Sequence, residues 1–536
     1  MSTLPPKRDA APNVPELPGE PPNAPSEPPS AEALRQCLTV LEAVVADRAL
    51  LSQLPHDERE ALLIAAGRVS RPGRTEQRVL ARALRKGRRK ADRDAQEATL
   101  ATAPIRKLRE QVVFITPPRL VEPLEAAPAD RATDTPAEPP ELSKALICYV
   151  CKEPYHTLHS FYDQLCPACG DFNFQKRGQT ANLEGRTALL TGARVKIGYQ
   201  AAILLLRAGA RVIVSTRFPA DAARRYAREA DFGDWGHRLI LFGLDLRHTP
   251  SVERFARHLL ETEQRLDFIL HNACQTVRRP AGFYQHLLDH EQTPAALPEA
   301  AQALLGPRVA TEDASLLPAL LTARADDPSG SLLSGLPASA ALTQLALTPE
   351  DHQGGEALFP ERRLDADEQQ VDLRAHNSWR LPLHQVSTVE LLEVQLVNVT
   401  APFILNARLK PLMERSPEQD KHIVNVSAVE GQFYRRFKTD KHPHTNMAKA
   451  ALNMMTRTSA SDYVRSGIHM NSVDTGWVTD EDPAHIAARK RAENGFHPPL
   501  DIVDGAARIV DPIFHGFNTG EHLWGRFLKD YKSVPW

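Results

Sequence analysis

The spacing of apolar residues divides the chain into two regions with different periods. In SAEALRQCLTVLEAVVADRALLSQL and DEREALLIAAGRV the apolar residues recur every three or four positions. A third segment with this spacing runs from about Thr75 to Gln96. Because an α-helix repeats about every 3.6 residues, the spacing predicts amphipathic helices, and residues 31–115 are interpreted as a helical region.

From about Leu183 onwards, short apolar and β-branched runs alternate with helical patterns. The runs are TALLTG, RVIVSTR, LILFGLDL, DFILHNA, HIVNVSA and HMNSVDT. Short apolar strands that alternate with helices are typical of a parallel sheet with helices on both faces. The pattern therefore predicts an α/β fold with a doubly wound parallel sheet over residues 183–536.

Three stretches interrupt these patterns. Residues 1–30 and 116–143 are rich in proline and poor in large apolar residues, which predicts a disordered tail and a linker. Residues 285–370 are rich in Ala, Leu, Pro and acidic residues without a sustained period, which indicates an insertion in the sheet domain. Within the insertion, helices are predicted around Pro298–Leu305 and Ala314–Ala325.

Net charge and hydropathy narrow the classes of partner. A net charge of −2 gives no global attraction to nucleic acid or to a membrane surface. No apolar run approaches the roughly 20 residues of a membrane span. The N-terminus, MSTLPPKRDAAPNVPELPGEPP, lacks the apolar core of a secretory signal. We therefore predict a cytoplasmic protein that does not associate with membranes.

One predicted helix is strongly basic. Its cations are Arg78, Arg82, Arg85, Lys86, Arg88, Arg89, Lys90 and Arg93. Such a run is either a contact for nucleic acid or another polyanion, or a solvated helical face. Because no aromatic residues are interleaved for base stacking, we favour the solvated face and do not expect nucleic acid as a partner.

Four of the six cysteines form two C-x-x-C pairs, Cys148 with Cys151 and Cys166 with Cys169. Two such pairs on tight turns present four thiolates to one cation, which predicts a zinc site. The alternatives are two disulfides or four unrelated core cysteines, but so few cysteines in a long chain fit a reducing compartment. We predict a small, structural zinc ribbon over residues 144–178 that braces the following domain.

A glycine turn joins the first two strands of the predicted sheet. GRTALLTGARVKIGYQAAILLLRAGARVIVSTR has the order strand, turn, helix, strand. Thr191, Gly192 and Gly198 resemble the T-G-x-x-x-G-x-G pattern of the short-chain dehydrogenase/reductase family, with Lys196 in place of the middle glycine. The resemblance covers about Leu183–Trp536 and implies a Rossmann fold that binds a nicotinamide dinucleotide.

Three later motifs strengthen the resemblance. LDL (244–246) is similar to the family's segment at the adenine, HNAC (271–274) to its N-N-A-G, and DTGWVT (474–479) to its P-G segment. The cofactor contacts that the resemblance implies are Thr191, Gly192, Arg194, Lys196, Ile197, Gly198, Arg217, Asp245, Leu246, Asn272, Ala273, Lys449, Gly476 and Val478.

Charge bears on the choice between NAD and NADP. After the second strand, an acidic residue would pair with the ribose 2′-hydroxyl of NAD. The sequence has Arg217 there, with Arg194 and Lys196 in the glycine turn. Three cations suit a 2′-phosphate, so NADP is the expected cofactor. NAD is the alternative, with Arg217 as an exposed loop residue.

The catalytic positions match the family only in part. The resemblance implies Asn398 and Lys449 as two of four catalytic residues, the lysine lowering the pKa of a tyrosine that exchanges a proton with the substrate oxygen. Thr445 stands in the tyrosine position, and Ala428 stands in the serine position with Ser427 beside it. A threonine hydroxyl can form a hydrogen bond, but it is a poor acid.

The loop GQFYRRFKTDKHPH (431–444) offers substitutes for the missing groups. Tyr434 is a candidate for a displaced phenol, and His442 or His444 for an imidazole that titrates near neutral pH. Arg435 and Arg436 could hold an anionic substrate. For each residue, packing or a surface position is the alternative. Further pocket candidates are Arg278, Arg279 and Trp379.

Three functions compete. The first is hydride transfer between NADP(H) and a small carbonyl or alcohol substrate, with the usual serine and tyrosine replaced. The second is a catalytically idle, dinucleotide-binding regulatory or interaction protein. The third is a zinc-ribbon adaptor for nucleic acid or protein. The match at Asn398 and Lys449 favours the first, and the resemblance also implies a homo-oligomer.

Overall fold

The computed structural model describes residues 29–118, 139–306, 339–434 and 438–536. The chain divides into two compact units, Met1–Ala91 and Asp92–Trp536. The predicted tail, most of the proline-rich linker, the predicted helix at Ala314–Ala325, and Arg435 with Arg436 lie outside the described residues.

The first unit is helical where it is described. It contains the helices Ala31–Ala46 and His56–Ser70 and most of Arg74–Ala101. The first helix begins after Ser30, whose hydroxyl accepts a hydrogen bond from the backbone N–H of Ala33 at 3.2 Å, a typical N-cap. The basic residues from Arg78 to Lys90 are exposed, as expected for a solvated face.

The second unit is built on an eight-stranded sheet. Its strands are β3 (Thr187–Thr191), β4 (Arg211–Thr216), β5 (Leu239–Gly243), β6 (Phe268–His271), β7 (Lys421–Ser427), β8 (Ile468–Asp474), β9 (Phe527–Lys529) and β10 (Lys532–Val534). Their order is β10-β9-β8-β7-β6-β3-β4-β5, parallel throughout except for β10 against β9. This confirms the doubly wound parallel sheet.

Helices cover both faces of the sheet. In this unit the helices after Ala101 are Pro104–Arg109, Pro167–Arg177, Lys196–Arg207, Pro219–Tyr226, Phe232–Trp235, Thr249–Thr262, Gln285–Gln292, Glu299–Gln302, Thr388–Gln395, Ala401–Glu414, Pro443–Tyr463, Ala484–Asn494 and Ile502–Thr519. Because neighbouring side chains of a strand point to opposite faces, Leu190 packs in one core with Ile509 and Leu189 in the other with Leu409.

The helical stretch Thr388–Glu414 includes a π turn at Leu396–Thr400. Among the described residues it alone is long and apolar enough, by length and composition, to cross a membrane. The sequence analysis expected no such stretch. Ala401, Leu405 and Leu409 lie fully buried in the core beneath the sheet, so packing within the domain accounts for much of this apolar character.

The described flanks of the insertion cover one edge of the sheet. The backbone N–H of Leu241 in β5 donates to Leu304 at 2.8 Å, and the N–H of Gly306 donates back to Leu241 at 2.8 Å. These bonds satisfy part of an otherwise open strand edge. The helix predicted at Pro298–Leu305 is the single turn Glu299–Gln302.

Two further strands belong to the cysteine segment. They are β1 (Glu141–Ile147) and β2 (Pro154–Thr157), paired antiparallel, and the helix Pro167–Arg177 follows them. The segment is anchored to the helix Ile502–Thr519 by buried polar contacts. Arg177 donates to Asp501 at 2.5 Å, and the hydroxyl of Tyr162 donates to Asp504 at 2.6 Å.

Candidate functional site

The glycine turn lies at the carboxyl end of β3, where parallel sheets bind ligands. Gly192 has φ +70°, and a Cβ there would lie 2.6 Å from the Cα of Ala273. A Cβ on Gly198 would lie 2.3 Å from the side-chain nitrogen of Asn272. That nitrogen donates to the Gly192 carbonyl at 2.9 Å, and the Ala273 N–H donates to the Thr191 hydroxyl at 3.2 Å. Glycine is therefore required at both positions, because the neighbouring atoms leave no room for a Cβ.

Lys196 begins the helix Lys196–Arg207 with φ +57°, a conformation that favours glycine. Burial would lower the pKa of its ammonium, but Glu481, Asp367 and Asp365 outweigh burial and raise it. Lys196 and Arg279 in turn hold the pKa of Glu481 below its ordinary value, against burial. The lysine thus keeps the turn's backbone geometry and faces carboxylates. The next residue, Ile197, packs against the core that contains Leu190 and Ile509.

Arg194 and Arg217 approach the same aromatic ring. Their guanidinium carbons lie 5.6 Å and 5.7 Å from the ring centroid of Phe218, just after β4. Arg194 also donates to Asp221 at 2.7 Å, and Arg217 donates to the Tyr284 hydroxyl at 3.0 Å. Arg217 is therefore packed beside the insertion rather than an exposed loop residue, and the two predicted cations come together.

The adenine segment contains an ion pair that the sequence analysis missed. Asp245 is buried at the end of β5 and binds Arg247, with its Oδ2 2.7 Å from one guanidinium nitrogen. Burial would raise the pKa of Asp245, but Arg247 holds it below its ordinary value. Arg247 also donates to the Leu342 carbonyl at 3.2 Å, so the insertion reaches this end of the sheet. Leu246 is buried in the core that contains Leu189 and Leu409.

Lys449 lies on the helix Pro443–Tyr463, with its ammonium donating to the Val426 carbonyl of β7 at 2.9 Å. The Ser427 hydroxyl donates to the Lys449 carbonyl at 3.5 Å, so it is directed at the helix backbone. Asn398 exchanges two hydrogen bonds with the backbone of Gln275, at 2.8 Å and 3.2 Å. Asn398 thereby fixes the chain leaving β6.

Thr445 forms a compact group with two residues of the neighbouring loops. Its hydroxyl donates to the His442 carbonyl at 2.8 Å and lies 3.2 Å from Nδ1 of the same residue. The His442 ring stacks on Trp379 with a centroid distance of 3.9 Å and an angle of 3°. The predicted pocket residue Trp379 and the imidazole candidate therefore lie next to the tyrosine position.

The displaced-phenol prediction for Tyr434 is not supported by its position. Its side chain is 55% exposed, and its hydroxyl accepts a bond from Gln432 at 3.2 Å. Gln432 also donates to the Pro535 carbonyl, so this part of the loop faces the C-terminal residues. His444 is buried on the other side of the helix, with Nε2 3.6 Å from Glu390.

Arg278 and Arg279 are engaged in ion pairs rather than open to a substrate. Arg278 donates to Asp351 at 2.8 Å and to Glu393 at 3.0 Å, and Arg279 pairs with Asp372. These contacts join the β6 loop to the insertion. The sequence analysis missed them because the partners lie far away in sequence. The acidic character of the 285–370 segment was the available signal.

The four cysteines form one cluster. The sulfurs of Cys148, Cys151, Cys166 and Cys169 lie within 4.8 Å of one another. The Cys151 and Cys166 sulfurs are 3.8 Å apart, which fits a tetrahedron with zinc–sulfur bonds of about 2.3 Å. Burial would raise the pKa of the Cys148 thiol, but hydrogen bonds led by the Cys166 N–H lower it to about 7. The donor set suits a structural zinc ion.

Lys152, which follows the first cysteine pair, has φ +66°. Gly170, which follows the second pair, is a residue of the helix Pro167–Arg177. Glycine is needed there because a Cβ would lie 2.4 Å from the His159 ring. His159 is no ligand candidate, because its Nδ1 accepts bonds from two backbone N–H groups.

The cysteine segment contacts the loop after β8. The hydroxyl of Tyr149, which lies between Cys148 and Cys151, accepts a bond from the Trp477 backbone N–H at 2.9 Å. The preceding residue, Gly476, has φ +75°, and Val478 packs against the same hydrophobic cluster as the cysteines. The predicted cofactor residues Gly476 and Val478 are therefore positioned by the cysteine segment.

Two family models match the chain. Residues 186–291 match the model described as "short chain dehydrogenase", and residues 371–499 match the one described as "Enoyl-(Acyl carrier protein) reductase". The two matches leave out 292–370, which lies within the predicted insertion.

Similar proteins were found among sequences and structures. "Uncharacterized protein R665" of Acanthamoeba polyphaga mimivirus is 31% identical over 378 residues, covering 68% of this chain and 71% of that protein. "Dehydrogenase/reductase SDR family member 13" of Homo sapiens is 38% identical over 96 residues, 18% of this chain. The structure "Pseudomonas aeruginosa RhlG/NADP active-site complex" is 19% identical with a TM-score of 0.40, covering 65% of this chain and 95% of that one.

The strand order, the glycine turn and the family matches agree. The chain belongs to the short-chain dehydrogenase/reductase family. Its match to the human family member 13 spans a quarter of that protein's length, 25%.

Proposed function

We propose that the protein is an NADP-dependent oxidoreductase that transfers a hydride between NADP(H) and a small carbonyl or alcohol substrate. When bound, the reduced nicotinamide supplies a hydride to a carbonyl carbon. Gly192 and Gly198 let the pyrophosphate approach the N-terminus of the helix Lys196–Arg207. Arg217, beside Arg194 at the end of β4, would bind the 2′-phosphate.

One observation carries the proposal: a buried lysine stands beside the ligand-binding edge of the sheet. Lys449 is 9% exposed and its ammonium reaches the carbonyl of Val426 near the end of β7. A buried ammonium costs free energy unless it is paired or hydrogen-bonded, so its presence here calls for an explanation. Here it lies where the family holds the ribose of the nicotinamide, four residues after Thr445. Asn398 fixes the facing loop from the opposite side.

The experiment has two stages. The purified full chain is heated with NADP, NADPH, NAD and NADH in turn, since a ligand of the native state raises the melting temperature by mass action. NADPH oxidation is then followed with a panel of aldehydes and ketones. The proposal expects a larger shift with NADP(H) than with NAD(H), and turnover with part of the panel. Equal shifts would refute the NADP preference.

A catalytically idle, dinucleotide-binding protein is the second candidate. It is favoured by Ala428, which has no hydroxyl, and by the Thr445 hydroxyl, which is bound to the His442 carbonyl. In this case NADP(H) binds and shifts the melting temperature, but no member of the carbonyl panel oxidises NADPH. Binding without turnover would therefore replace the first proposal by the second.

We also propose that the four-cysteine site binds zinc in a bracing role. The support is the Tyr149 hydrogen bond to Trp477 and the buried contacts of Arg177 and Tyr162. Metal analysis of the purified protein tests this, and one zinc ion per chain is the expected result. A cytoplasmic location and a homo-oligomeric state remain proposals from the sequence, testable by fractionation and by light scattering.

A further inference from the structure

We propose that His442 is the source of the proton that the missing tyrosine would have supplied, delivered through the hydroxyl of Thr445. The inference rests on the proposed oxidoreductase function and names the group that completes its chemistry. An imidazole is the side chain whose ordinary pKa best suits proton transfer near neutral pH.

The hydrogen-bond geometry connects the two groups. The Thr445 hydroxyl donates to the His442 carbonyl at 2.8 Å, which leaves its oxygen free to accept from Nδ1–H at 3.2 Å. Thr445 stands one helical turn before Lys449, on a helix that begins at Pro443. The imidazole is thus one hydroxyl removed from the position of the family's phenol.

The backbone of His442 is held in an unfavourable conformation. Its φ is +43° and its ψ is +47°, a left-handed region that is unfavourable for a non-glycine residue. Two contacts hold it there: the stack on Trp379 and the His442 N–H, which donates to the Leu381 carbonyl at 2.9 Å. Such strain persists where surrounding contacts over-determine it, commonly at functional sites.

The groups that face the imidazole set its titration. Burial lowers the pKa of His442, Glu430 opposes this, and His444 adds to it. The stacked Trp379 is uncharged and favours the protonated ring through its π face. The pKa of His442 is lowered on balance. Its ring is therefore expected to become protonated at a pH below the ordinary pKa of histidine.

The proposed reduction consumes one hydride and one proton. A substrate carbonyl carbon receives the hydride, and the carbonyl oxygen takes the proton of the Thr445 hydroxyl. Thr445 takes the Nδ1 proton of the His442 imidazolium, which becomes neutral and regains a proton from water. One hydride from NADPH and one proton from solvent reduce the carbonyl to an alcohol.

The test compares His442→Gln with His384→Gln, a matched change at an exposed histidine. With NADPH and the carbonyl panel, His442→Gln should lower kcat at least about 100-fold while the KM for NADPH stays unchanged. It should also abolish the fall in kcat that wild type shows as pH rises through the pKa of His442 and the imidazolium is lost. A rate and pH profile like those of wild type would overturn the inference.

A second readout needs no turnover. A protonated imidazole stacked on an indole quenches its fluorescence, so the wild-type protein without cofactor should lose Trp379 emission below the pKa of His442. His442→Gln and Trp379→Phe should both lack this transition, and His384→Gln should keep it. Its presence in His442→Gln would contradict the titration. Failure of NADPH to bind any variant, wild type included, would refute the proposed function instead.

A second inference rests on different contacts. We propose that the acidic hairpin 363–371 competes with the phosphates of the dinucleotide for the cations of the glycine turn. The hairpin closes with the Leu364–Gln370 bridge and the Asp365 N–H bond to the Gln369 carbonyl at 2.8 Å. It lies within the insertion, whose acidic composition the sequence already displays.

The hairpin contacts one predicted phosphate-binding cation of the glycine turn and two arginines that follow β4. Gln369 accepts from Arg194 at 3.3 Å, and Glu368 pairs with Arg225 at 3.2 Å and Arg228 at 2.6 Å. Asp367 and Asp365, both partly buried, raise the pKa of Lys196. Carboxylates and phosphates are recognised by the same cations, so the two ligands exclude each other there.

The experiment measures the affinity of the full chain for NADPH by calorimetry. The variant combines Asp365→Asn, Asp367→Asn and Glu368→Gln, and the control is Glu361→Gln on the exposed side of the same segment. Competition predicts at least threefold tighter binding for the triple variant and no change for the control. Unchanged or weaker binding by the triple variant would overturn the inference. Absence of NADPH binding in wild type and both variants would refute the proposed function. It would also refute the competition proposal, which depends on that function.

Discussion

The cofactor half and the catalytic half of the sheet each hold one non-glycine residue in a left-handed conformation. In the cofactor half, formed by β3 to β5 and their loops, it is Lys196 with φ +57°. In the catalytic half, formed by β7, β8 and the helix Pro443–Tyr463, it is His442 with φ +43°. Both stand at helix starts, and both are stabilised by their side chains.

The two halves differ in what has changed around that residue. In the cofactor half, Gly192 and Gly198 remain where a Cβ would collide, so the dinucleotide geometry is kept. In the catalytic half Thr445 stands in the tyrosine position, and we propose that the acid chemistry passes to Thr445 and His442. On this proposal the backbone geometry meets the demands of the fold, while another side chain supplies the acid.

The largest effect is expected from loss of the zinc ion that we propose braces the catalytic half. Cys166→Ser should remove a zinc ligand, and metal binding contributes folding free energy to such segments, roughly 10 kcal/mol for isolated fingers. Here we expect a loss of several kcal/mol and release of the Tyr149–Trp477 contact. Chemical denaturation and proteolysis near residue 477 measure it, with Cys37→Ser, an exposed cysteine, as control. Equal stability of the two variants would contradict the bracing role.

Lys449→Met removes the ammonium that distinguishes the catalytic half. Turnover of NADPH with the carbonyl panel should fall at least about 100-fold, because the lysine supports proton transfer and ribose binding. The fold should survive, since a methionine fills similar volume. Lys532→Met, an exposed lysine of β10, is the control. Retained turnover in Lys449→Met would contradict a catalytic role for Lys449.

Asp474 gives the catalytic half a pH dependence. Burial raises its pKa to about 6, and Glu430 and Asp530 add to this. A carboxyl whose folded pKa is raised stabilises the fold below its unfolded pKa of about 4, and the contribution is lost as pH rises to about 6.

Asp474→Asn should therefore flatten the stability profile over that window and raise stability at pH 7 by about 1–3 kcal/mol. The amide oxygen can still accept the Val429 N–H. Urea unfolding at a series of pH values measures it, and Asp480→Asn is the control, a carboxylate on the same loop. A profile as steep as wild type would be inconsistent with the raised pKa.

The smallest effect is expected at Lys196, where two substitutions separate the role of the backbone conformation from that of the charge. Lys196→Gly and Lys196→Ala both remove the ammonium, but only glycine accepts φ +57° without strain. Lys196→Gly should therefore be more stable than Lys196→Ala by about 1 kcal/mol, measured by urea unfolding. If alanine were equal or better, the turn would have relaxed away from the left-handed conformation.

Much of the fold follows from local patterns. The six apolar runs predicted as strands all contribute to the sheet, because strictly alternating strands and helices have few arrangements. The clustering of the four cysteines followed from two C-x-x-C spacings, and the insertion from a break in period. The replacement of the middle glycine by Lys196 was visible in the sequence, but the left-handed conformation of this lysine was not predicted.

The missed features are long-range. The Arg247 bond to the Leu342 carbonyl, the Arg278 contacts with Asp351 and Glu393, and the hairpin contact with Arg194 join residues far apart in sequence. No local pattern encodes them. The stack of His442 on Trp379 was likewise hidden, although each residue was a candidate by itself. Tyr434 was proposed only because its phenol has suitable acid chemistry. Its exposure shows that the distance of a side chain from the catalytic position has to be read from the structure.

The most direct test of the account is a calorimetric titration of NADPH into wild type, Gly198→Ala and Gly87→Ala. At Gly198 a Cβ would meet the Asn272 side chain at 2.3 Å, whereas nothing lies within 4 Å of a Cβ at Gly87. The account predicts binding to wild type and Gly87→Ala, and loss of affinity of at least about tenfold in Gly198→Ala. Equal binding to all three, or no binding to wild type, would contradict the claim that this turn holds a nicotinamide dinucleotide.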